Sequence, residues 1–210
     1  MLRIKICGIT NTEDAFAAIA CGADALGFVF YSKSPRSIQP ETARSIISQL
    51  PPLVTTVGVF VDEEMSNLKK IISHTGLDVV QLHGSEPPEY IRLSNKTIKA
   101  IRVKDLADLE VLNHYKAASA FLLDTYSPGS IGGTGHVFNW EIAVEAKKMG
   151  RIILAGGLTP DNIEEAIKLV QPYAVDVASG VEGNIKGKKD HNKLRSFIER
   201  ARKASLKYYI

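Results

Sequence analysis

Eight short apolar runs rich in β-branched residues recur along the chain and are separated by longer amphipathic stretches. Such alternation is typical of βα units arranged around a parallel sheet. The predicted strands cover residues 2–6, 25–30, 55–61, 79–82, 97–101, 120–123, 151–155 and 174–177. Helices are predicted between them, among others over residues 12–20, 40–50, 63–74 and 140–148. Eight βα units are the number that closes a barrel.

The predicted fold class is therefore α/β, with a single (β/α)8 TIM barrel as the architecture. An open, doubly wound sheet uses the same local unit, and alternation alone does not exclude it; the number of strands favours the barrel. With 210 residues, 45% of them hydrophobic, the chain can enclose one core but is short for two. No linker or low-complexity tract divides it, so we expect one domain spanning residues 1–210.

Composition argues against several functional classes. The net charge of +3 is mild, and apart from the stretch 186–193 the basic residues are spread out, so we expect no nucleic-acid partner. Cys7 and Cys21 make no disulfide framework and lack ligand-spaced partners, which favours a reducing cytoplasm and no metal. Without a secretory signal or a run of about 20 apolar residues, we expect a soluble protein and no membrane partner. A monomer and a homodimer are both left open.

The first candidate site residue is Cys7, just beyond the first predicted strand. In barrels of this kind the reactive groups lie at the carboxyl ends of the strands and in the loops that follow. Strand alternation places Lys5 and Cys7 on one face and Ile4 and Ile6 on the other, so Cys7 should point inward at the barrel mouth, above Lys5. A lone cysteine is more often a small buried hydrophobic residue, and that alternative stays open.

A carboxylate, Asp124, stands where the apolar run of the sixth predicted strand stops. It is a second candidate site residue, with a helix or turn cap as the alternative. The following loop, residues 126–136, is rich in glycine and too long for a simple connection, which is typical of a mobile lid. It lacks the Gly-Lys-Ser/Thr ending of a P-loop.

Loops of small residues follow the last two predicted strands, with Gly156 and Gly157 in one and Ser179 and Gly180 in the other. Backbone N–H groups in such loops can point at an anion, and a short helix starting near Ser179 would add the positive end of its dipole. Phosphate commonly binds at this position in barrels. We therefore predict a phosphate site, with tight barrel turns as the alternative.

Three further polar residues are candidates for recognition of a ligand. Arg36, after the second predicted strand, could hold a carboxylate through two N–H groups at once, although a loop arginine is more often merely solvated. His83 follows the fourth predicted strand and Asp176 lies in the eighth. Each of these two could contact a ligand, support a neighbouring group or be a satisfied polar residue of the barrel mouth.

Seven segments, taken together and in this order, resemble the phosphoribosylanthranilate isomerase family: KICGIT at 5–10, GADALGF at 22–28, SPR at 34–36, VQLHG at 80–84, GGTG at 132–135, LAGGLTPDN at 154–162 and VDVASGVE at 175–182. The resemblance runs from residue 4 to about residue 190, nearly the whole chain. Two positions depart from the family pattern. His136 stands where the glycine-rich loop usually continues with Lys, and Ala178 stands where Ser is common.

The resemblance implies an isomerase of tryptophan biosynthesis that works without a cofactor or a metal. Its reaction is an Amadori rearrangement of N-(5-phosphoribosyl)anthranilate to 1-(2-carboxyphenylamino)-1-deoxyribulose 5-phosphate. By the same resemblance, Cys7 is the general base, Asp124 the general acid and Arg36 the group that holds the anthranilate carboxylate. The phosphate is then held by the glycine-containing loops after the last two strands.

A thiol base needs help from its surroundings. An ordinary thiol, with a pKa of about 8.5, is only a few per cent thiolate at neutral pH. Nearby positive charge is needed to increase the fraction of thiolate. We hypothesise that Lys5, one layer below, lowers the pKa of Cys7. Asp176, on the neighbouring last strand, could instead neutralise Lys5 by pairing with it.

Two other functions stay open from the sequence. A histidine-pathway Amadori isomerase would be expected to pair two carboxylates as acid and base, rather than a cysteine and a carboxylate. A non-catalytic sugar-phosphate binder would keep the late glycine loops and make Cys7 and Asp124 incidental.

Overall fold

A computed structural model describes residues 2–125 and 139–209 of the chain. Eight parallel strands follow one another around a closed barrel, and the last pairs with the first. The strands are β1 (Arg3–Cys7), β2 (Ala25–Val29), β3 (Thr55–Phe60), β4 (Val79–Leu82), β5 (Thr97–Val103), β6 (Ala120–Thr125), β7 (Ile152–Leu154) and β8 (Ala174–Val177). The predicted barrel is confirmed and the open sheet is wrong, because an open sheet would leave β1 and β8 apart.

Helices cover the outside of the barrel. They are α1 (Thr12–Ala20), α2 (Pro40–Ile47), α3 (Met65–Thr75), α4 (Glu141–Ala146), α5 (Ile163–Val170) and α6 (His191–Tyr208). The four predicted helices correspond to α1 through α4. After β4 and β5 the connections instead contain 3₁₀ helices, Pro88–Leu93 and Leu106–Tyr115, and a single 3₁₀ turn, Ser179–Val181, follows β8. No helix within the described ranges is both long and apolar enough to cross a membrane.

Strand alternation divides the apolar residues into two layers. On β1, Ile4 and Ile6 are fully buried under the surrounding helices, as the sequence pattern predicts. The residues that face the barrel axis form a separate cluster: Val57, Val79, Ile98, Ala100, Ala120, Leu122, Ile153, Ala155 and Ala174. Because these side chains fill the barrel interior, a ligand has room only beyond them, at the carboxyl ends of the strands.

Strand β6 is longer than predicted. Its pairing with β5 continues past the apolar run, with Arg102 opposite Asp124 and Val103 opposite Thr125. The carboxylate therefore belongs to the strand and is held by the sheet, rather than lying in a free loop. This register directs Asp124, like Leu122 before it, toward the barrel axis.

A buried carboxylate ties the C-terminal part of the chain to the first helix. Asp14 accepts hydrogen bonds from the Asn11 side chain at 2.8 Å and from the Lys189 amide at 3.0 Å, and its Oδ1 lies 2.9 Å from His191 Nε2. Burial raises the pKa of this carboxyl, but the hydrogen bonds outweigh burial, so its pKa lies below the ordinary value. Asp14 therefore stabilises the fold at pH values above the ordinary pKa of a carboxyl group, and this stabilisation is lost as the pH falls through the lowered pKa.

The Asp14→Ala variant tests this anchor. We expect the free energy of unfolding to fall by about 1–3 kcal/mol near neutral pH, because the Lys189 amide loses its acceptor. Urea denaturation followed by circular dichroism measures the change. Asp161→Ala is the control, since that side chain is 92% exposed and its loss should cost less than about 0.5 kcal/mol. Equal losses in the two variants would contradict the anchoring role.

Candidate active site

A cleft of about 720 Å³, including its open mouth, lies at the carboxyl ends of the strands. All nine residues predicted from the sequence line the cleft: Cys7, Arg36, His83, Asp124, Gly156, Gly157, Asp176, Ser179 and Gly180. The fold thus brings together residues that are up to 173 positions apart in the chain (180 − 7). The predicted lid, residues 126–136 with His136, lies outside the described residues.

Cys7 is the last residue of β1 and points into the barrel, as alternation predicts. Its side chain is buried, and it packs with Val29 and Val59 near the mouth. The facing position on β2 is Gly27, where a Cβ would lie 2.7 Å from Cys7 Sγ and 3.1 Å from Lys5 Cε. Only glycine leaves room for the thiol at this position.

Directly below Cys7, Lys5 and Asp176 form a buried ion pair with an Nζ–Oδ1 distance of 2.9 Å. The two residues are register partners across the junction of β1 and β8. Burial lowers the pKa of Lys5, but Asp176 and Cys7 together raise it by more, so the pKa lies above the ordinary value and Lys5 is protonated. The predicted pairing is therefore present, and it coexists with a favourable interaction between Lys5 and the thiol.

Lys5 acts on Cys7 in the hypothesised direction, but it does not bring the pKa of the thiol below the ordinary value. Burial raises the pKa of the Cys7 thiol, and the charge of Lys5 lowers it without compensating, while Asp176 raises it further. The direction of the Lys5 effect is as expected, but desolvation is larger. Sequence alternation could identify the neighbours of the thiol but not the extent of its burial.

Asp124 lies at the inner surface of the cleft, buried and close to His83. Its Oδ1 accepts a hydrogen bond from the Thr125 amide at 2.9 Å, and its Oδ2 lies 3.4 Å from His83 Nε2. The other ring nitrogen of His83, Nδ1, is 3.3 Å from the Gln81 side-chain amide. Within residues 2–125 and 139–209, His83 Nε2 and Gln81 Oε1 are buried without a hydrogen-bond partner of good geometry. Polar atoms of this kind are suited to a ligand's hydroxyl groups.

Arg36 is held in the cleft by Glu182. Its Nε and Nη2 donate to the two carboxylate oxygens of Glu182 at 2.6 and 2.8 Å, a bidentate ion pair. Because Nε and one N–H of Nη2 donate to Glu182, a bidentate contact of Arg36 with a ligand carboxylate would have to use Nη1 and the second N–H of Nη2. Gly8, at φ +75°, makes the fit possible, because a Cβ there would lie 2.5 Å from Arg36 Cδ.

The two late glycine loops lie against each other. A Cβ on Gly180 would overlap the Leu158 carbonyl oxygen, and a Cβ on Gly156 would overlap the Thr125 amide. Among the described residues, no acceptor faces the backbone amides of Gly156, Gly157 or Ser179. The expected helix near Ser179 is a 3₁₀ turn of three residues, too short to add a helix dipole. The loops therefore offer backbone amides and the Ser179 hydroxyl to an anion, without a helix dipole.

Three residues of the site were not among the predicted ones. Gln81 and Glu182 stood next to or inside recognised segments, but nothing in the sequence distinguished them from solvated polar residues. Lys189 belongs to the basic stretch 186–193 and is buried, with its ammonium donating to the Cys7 carbonyl at 2.7 Å. A charge run usually marks a solvated surface, so its burial could not be anticipated.

Comparison with known proteins identifies relatives of this chain. Residues 4–200 match the family model described as N-(5'phosphoribosyl)anthranilate (PRA) isomerase. A Geobacter metallireducens protein named N-(5'-phosphoribosyl)anthranilate isomerase is 54% identical over 203 residues, covering 96% of this chain and 100% of that protein. The crystal structure of phosphoribosyl anthranilate isomerase from Thermotoga maritima has a TM-score of 0.90 at 45% identity, covering 97% of this chain and 100% of that one. Another, in complex with reduced 1-(o-carboxyphenylamino)-1-deoxyribulose 5-phosphate, has a TM-score of 0.86 at 44% identity, with the same coverage.

The charges around Cys7 can be tested by its rate of alkylation with iodoacetamide as a function of pH, in a Cys21→Ala background. The unsubstituted site should have a midpoint above that of an ordinary thiol, because burial dominates. Lys5→Met should raise the midpoint and Asp176→Asn should lower it, each by about one unit, since the two charges act in opposite directions. Shifts of the same sign would show that altered packing, rather than charge, controls the thiol.

Proposed function

Because this chain belongs to the N-(5'-phosphoribosyl)anthranilate isomerase family, we propose that Cys7 and Asp124 are the acid–base pair of that family's reaction in this protein. The chain is an isomerase of tryptophan biosynthesis, and its Amadori rearrangement yields 1-(2-carboxyphenylamino)-1-deoxyribulose 5-phosphate. One observation carries the proposed roles: a thiol and a carboxyl, both buried, line the same cleft with the two small-residue loops at its rim.

In the first step, the carboxyl group of Asp124 protonates the ring oxygen of the substrate ribose. The bond between C1 and that oxygen breaks, and the nitrogen lone pair forms a protonated imine with C1. In the second step, the thiolate of Cys7 removes the proton from C2. The electron pair of the C2–H bond becomes the C1–C2 double bond and neutralises the imine nitrogen. The resulting enolamine tautomerises to the ketone, and no cofactor is needed because the imine accepts the electrons.

The raised pKa of Cys7 is compatible with this role. Burial reduces the fraction of thiolate, yet it also makes the thiolate that forms a stronger base. A C–H bond is weakly acidic even beside an imine, so a strong base is useful in the second step. Lys5 supports the reaction by stabilising the thiolate from below, and its pairing with Asp176 limits this effect.

His83 and Gln81 support the acid. His83 Nε2 lies 3.4 Å from Asp124 Oδ2, close enough to exchange a proton with the carboxyl after small movements. Asp124 must be protonated before it can donate, and a histidine beside it can return its proton after each turnover. Gln81 Oε1, which accepts no hydrogen bond from the described residues, and the carboxylate of Asp176 can accept hydrogen bonds from ribose hydroxyls.

The two ends of the substrate are charged, and the cleft has a group for each. Arg36 receives the anthranilate carboxylate at its Nη1 edge, while Glu182 holds the other edge in place. The phosphate is received by the amides of Gly156, Gly157, Ser179 and Gly180, which surround the same rim. Ala178 has no hydroxyl, so it can contribute only its backbone to the binding.

The partner of the site is a small phosphorylated molecule. We propose no nucleic-acid or membrane partner, a monomer or homodimer, and a cytoplasmic location, which suits the two free thiols Cys7 and Cys21. A histidine-pathway isomerase would be expected to use two carboxylates, and it is disfavoured because Asp176, the second carboxylate of the cleft, is paired with Lys5. Membership of the family also disfavours a non-catalytic binder.

Substitution of the two reactive groups tests the assignment. We expect Cys7→Ala and Asp124→Ala each to lower kcat by about 10²–10⁴-fold, the usual contribution of a general acid or base, with little effect on folding. Turnover is followed by the loss of substrate fluorescence, with the substrate generated in situ. Cys21→Ala is the control: it removes the second, half-buried thiol at the end of α1 and should keep full activity. Unimpaired turnover by Cys7→Ala would refute the base assignment.

The phosphate loops are tested by a pair of glycine variants. Gly180→Ala should raise KM about tenfold or more and weaken inhibition by inorganic phosphate, because its Cβ overlaps the Leu158 carbonyl and displaces the loop. Gly183→Ala is the matched control, since its Cβ would meet its nearest neighbour, Asp190 Cβ, at 3.9 Å, an ordinary contact. Equal KM values for the two variants would count against the phosphate assignment.

A further inference from the structure

A second lysine is buried beside the site, and the reaction scheme above does not use it. Lys189 lies between the loop after β8 and α6, and its side chain has no exposed surface. Its ammonium donates to the Cys7 carbonyl at 2.7 Å, to the Ala178 carbonyl at 3.2 Å and to Glu182 Oε1 at 3.3 Å. Three acceptors require three N–H donors, which only the protonated ammonium provides.

The three acceptors belong to three functional parts of the cleft. The Cys7 carbonyl is on the residue that carries the thiol. Ala178 directly precedes Ser179 in the second glycine loop, and Glu182 is the carboxylate that holds Arg36 in a bidentate pair. A single buried cation therefore contacts the base, the phosphate loop and the support of the carboxylate-binding arginine.

The position of this cation is itself fixed. The Lys189 amide donates to Asp14 Oδ2 at 3.0 Å, and a backbone bridge pairs Lys189 with Glu182. The next residue, Asp190, donates its amide to the Val181 carbonyl at 2.9 Å. Because these contacts hold its backbone on both sides, Lys189 can keep the groups that its ammonium binds in fixed positions.

We propose that Lys189 is a positioning residue of the isomerase: through Glu182 it orients Arg36, and through the Cys7 carbonyl it sets the placement and the charge environment of the thiol. This inference rests on the proposed roles of Cys7 and Arg36. Both effects follow from one ammonium group, so removing it should disturb substrate binding and thiol chemistry together.

The electrostatic part of the proposal has a defined sign. Lys5, Asp176 and Lys189 are the charged groups that act on Cys7, and the two lysines favour the thiolate, whereas Asp176 opposes it. Burial holds the pKa of Lys189 below its ordinary value; the Glu182 carboxylate offsets only part of this effect, and Arg36 adds to it. Glu182 has a pKa below its ordinary value, because Arg36 and Lys189 outweigh its burial. The opposite charges of Glu182 and Lys189 therefore favour each other.

The experiment compares Lys189→Met and Lys189→Arg with the parent protein in a Cys21→Ala background. Two quantities are measured: the midpoint of Cys7 alkylation against pH without substrate, and KM and kcat with substrate. Lys189→Met should raise the midpoint by about one unit and raise KM about tenfold. Lys189→Arg keeps the charge and should restore the midpoint, while KM stays raised because the larger guanidinium displaces Glu182.

Lys99→Met is the matched control. Lys99 is also buried and also paired, with Glu86 at 2.8 Å and the Gly84 carbonyl at 2.5 Å, but it does not act on Cys7. Its loss should destabilise the fold to a similar extent and leave the alkylation midpoint unchanged. Should Lys189→Met fail to fold, the double variant Lys189→Met with Glu182→Gln removes both buried charges and should show the same raised midpoint.

The outcomes separate this inference from the proposed function. An unshifted midpoint and an unchanged KM in folded Lys189→Met, or an equal shift in Lys99→Met, would overturn the role of Lys189 alone. Full turnover by Cys7→Ala would overturn the proposed base instead, and it would do so whatever Lys189→Met shows. A raised midpoint restored by Lys189→Arg supports the inference.

Discussion

The hydrogen bonds between β1 and β8 close the barrel, and the cleft depends on that closure. Their register places Lys5 opposite Asp176, so the strand that carries Cys7 meets the strand that leads into Ser179. A buried ion pair then spans the junction. Removing one partner of such a pair typically costs about 3–5 kcal/mol, because the other charge is left buried and unpaired. The junction that makes the fold a barrel is therefore also the floor of the site.

Burial and charge act against each other around the thiol. The dry environment that makes Cys7 a strong base also holds its proton in place, and two buried lysines oppose this effect. Neither lysine could remain charged there alone: Lys5 is paired with Asp176, and Lys189 with Glu182. The Asp176 carboxylate also opposes the effect of the lysines on the thiol. Reactivity at Cys7 is thus set by a balance among several buried charges rather than by one neighbour.

Glycines determine where the reactive groups can lie. Gly27 leaves space for the thiol, Gly8 for the Arg36 side chain, and Gly156 and Gly180 allow the late loops to approach neighbouring backbone. At each position a Cβ would collide with a group of the site. These glycines mark the close approach of one strand or loop to another around the site.

The sequence by itself determined the barrel and pointed to nine of the residues that line the cleft, but not to Gln81, Glu182 or Lys189. Alternating strands and helices, counted to eight, gave the fold, and strand periodicity directed Cys7 and Asp124 inward, because side chains of a strand alternate whatever surrounds it. Tertiary structure alone decided the electrostatics. The depth of burial of Cys7, the capture of Arg36 by Glu182 and the buried ammonium of Lys189 all depend on groups distant in sequence. Desolvation and ion pairing arise from three-dimensional proximity, which local pattern does not encode.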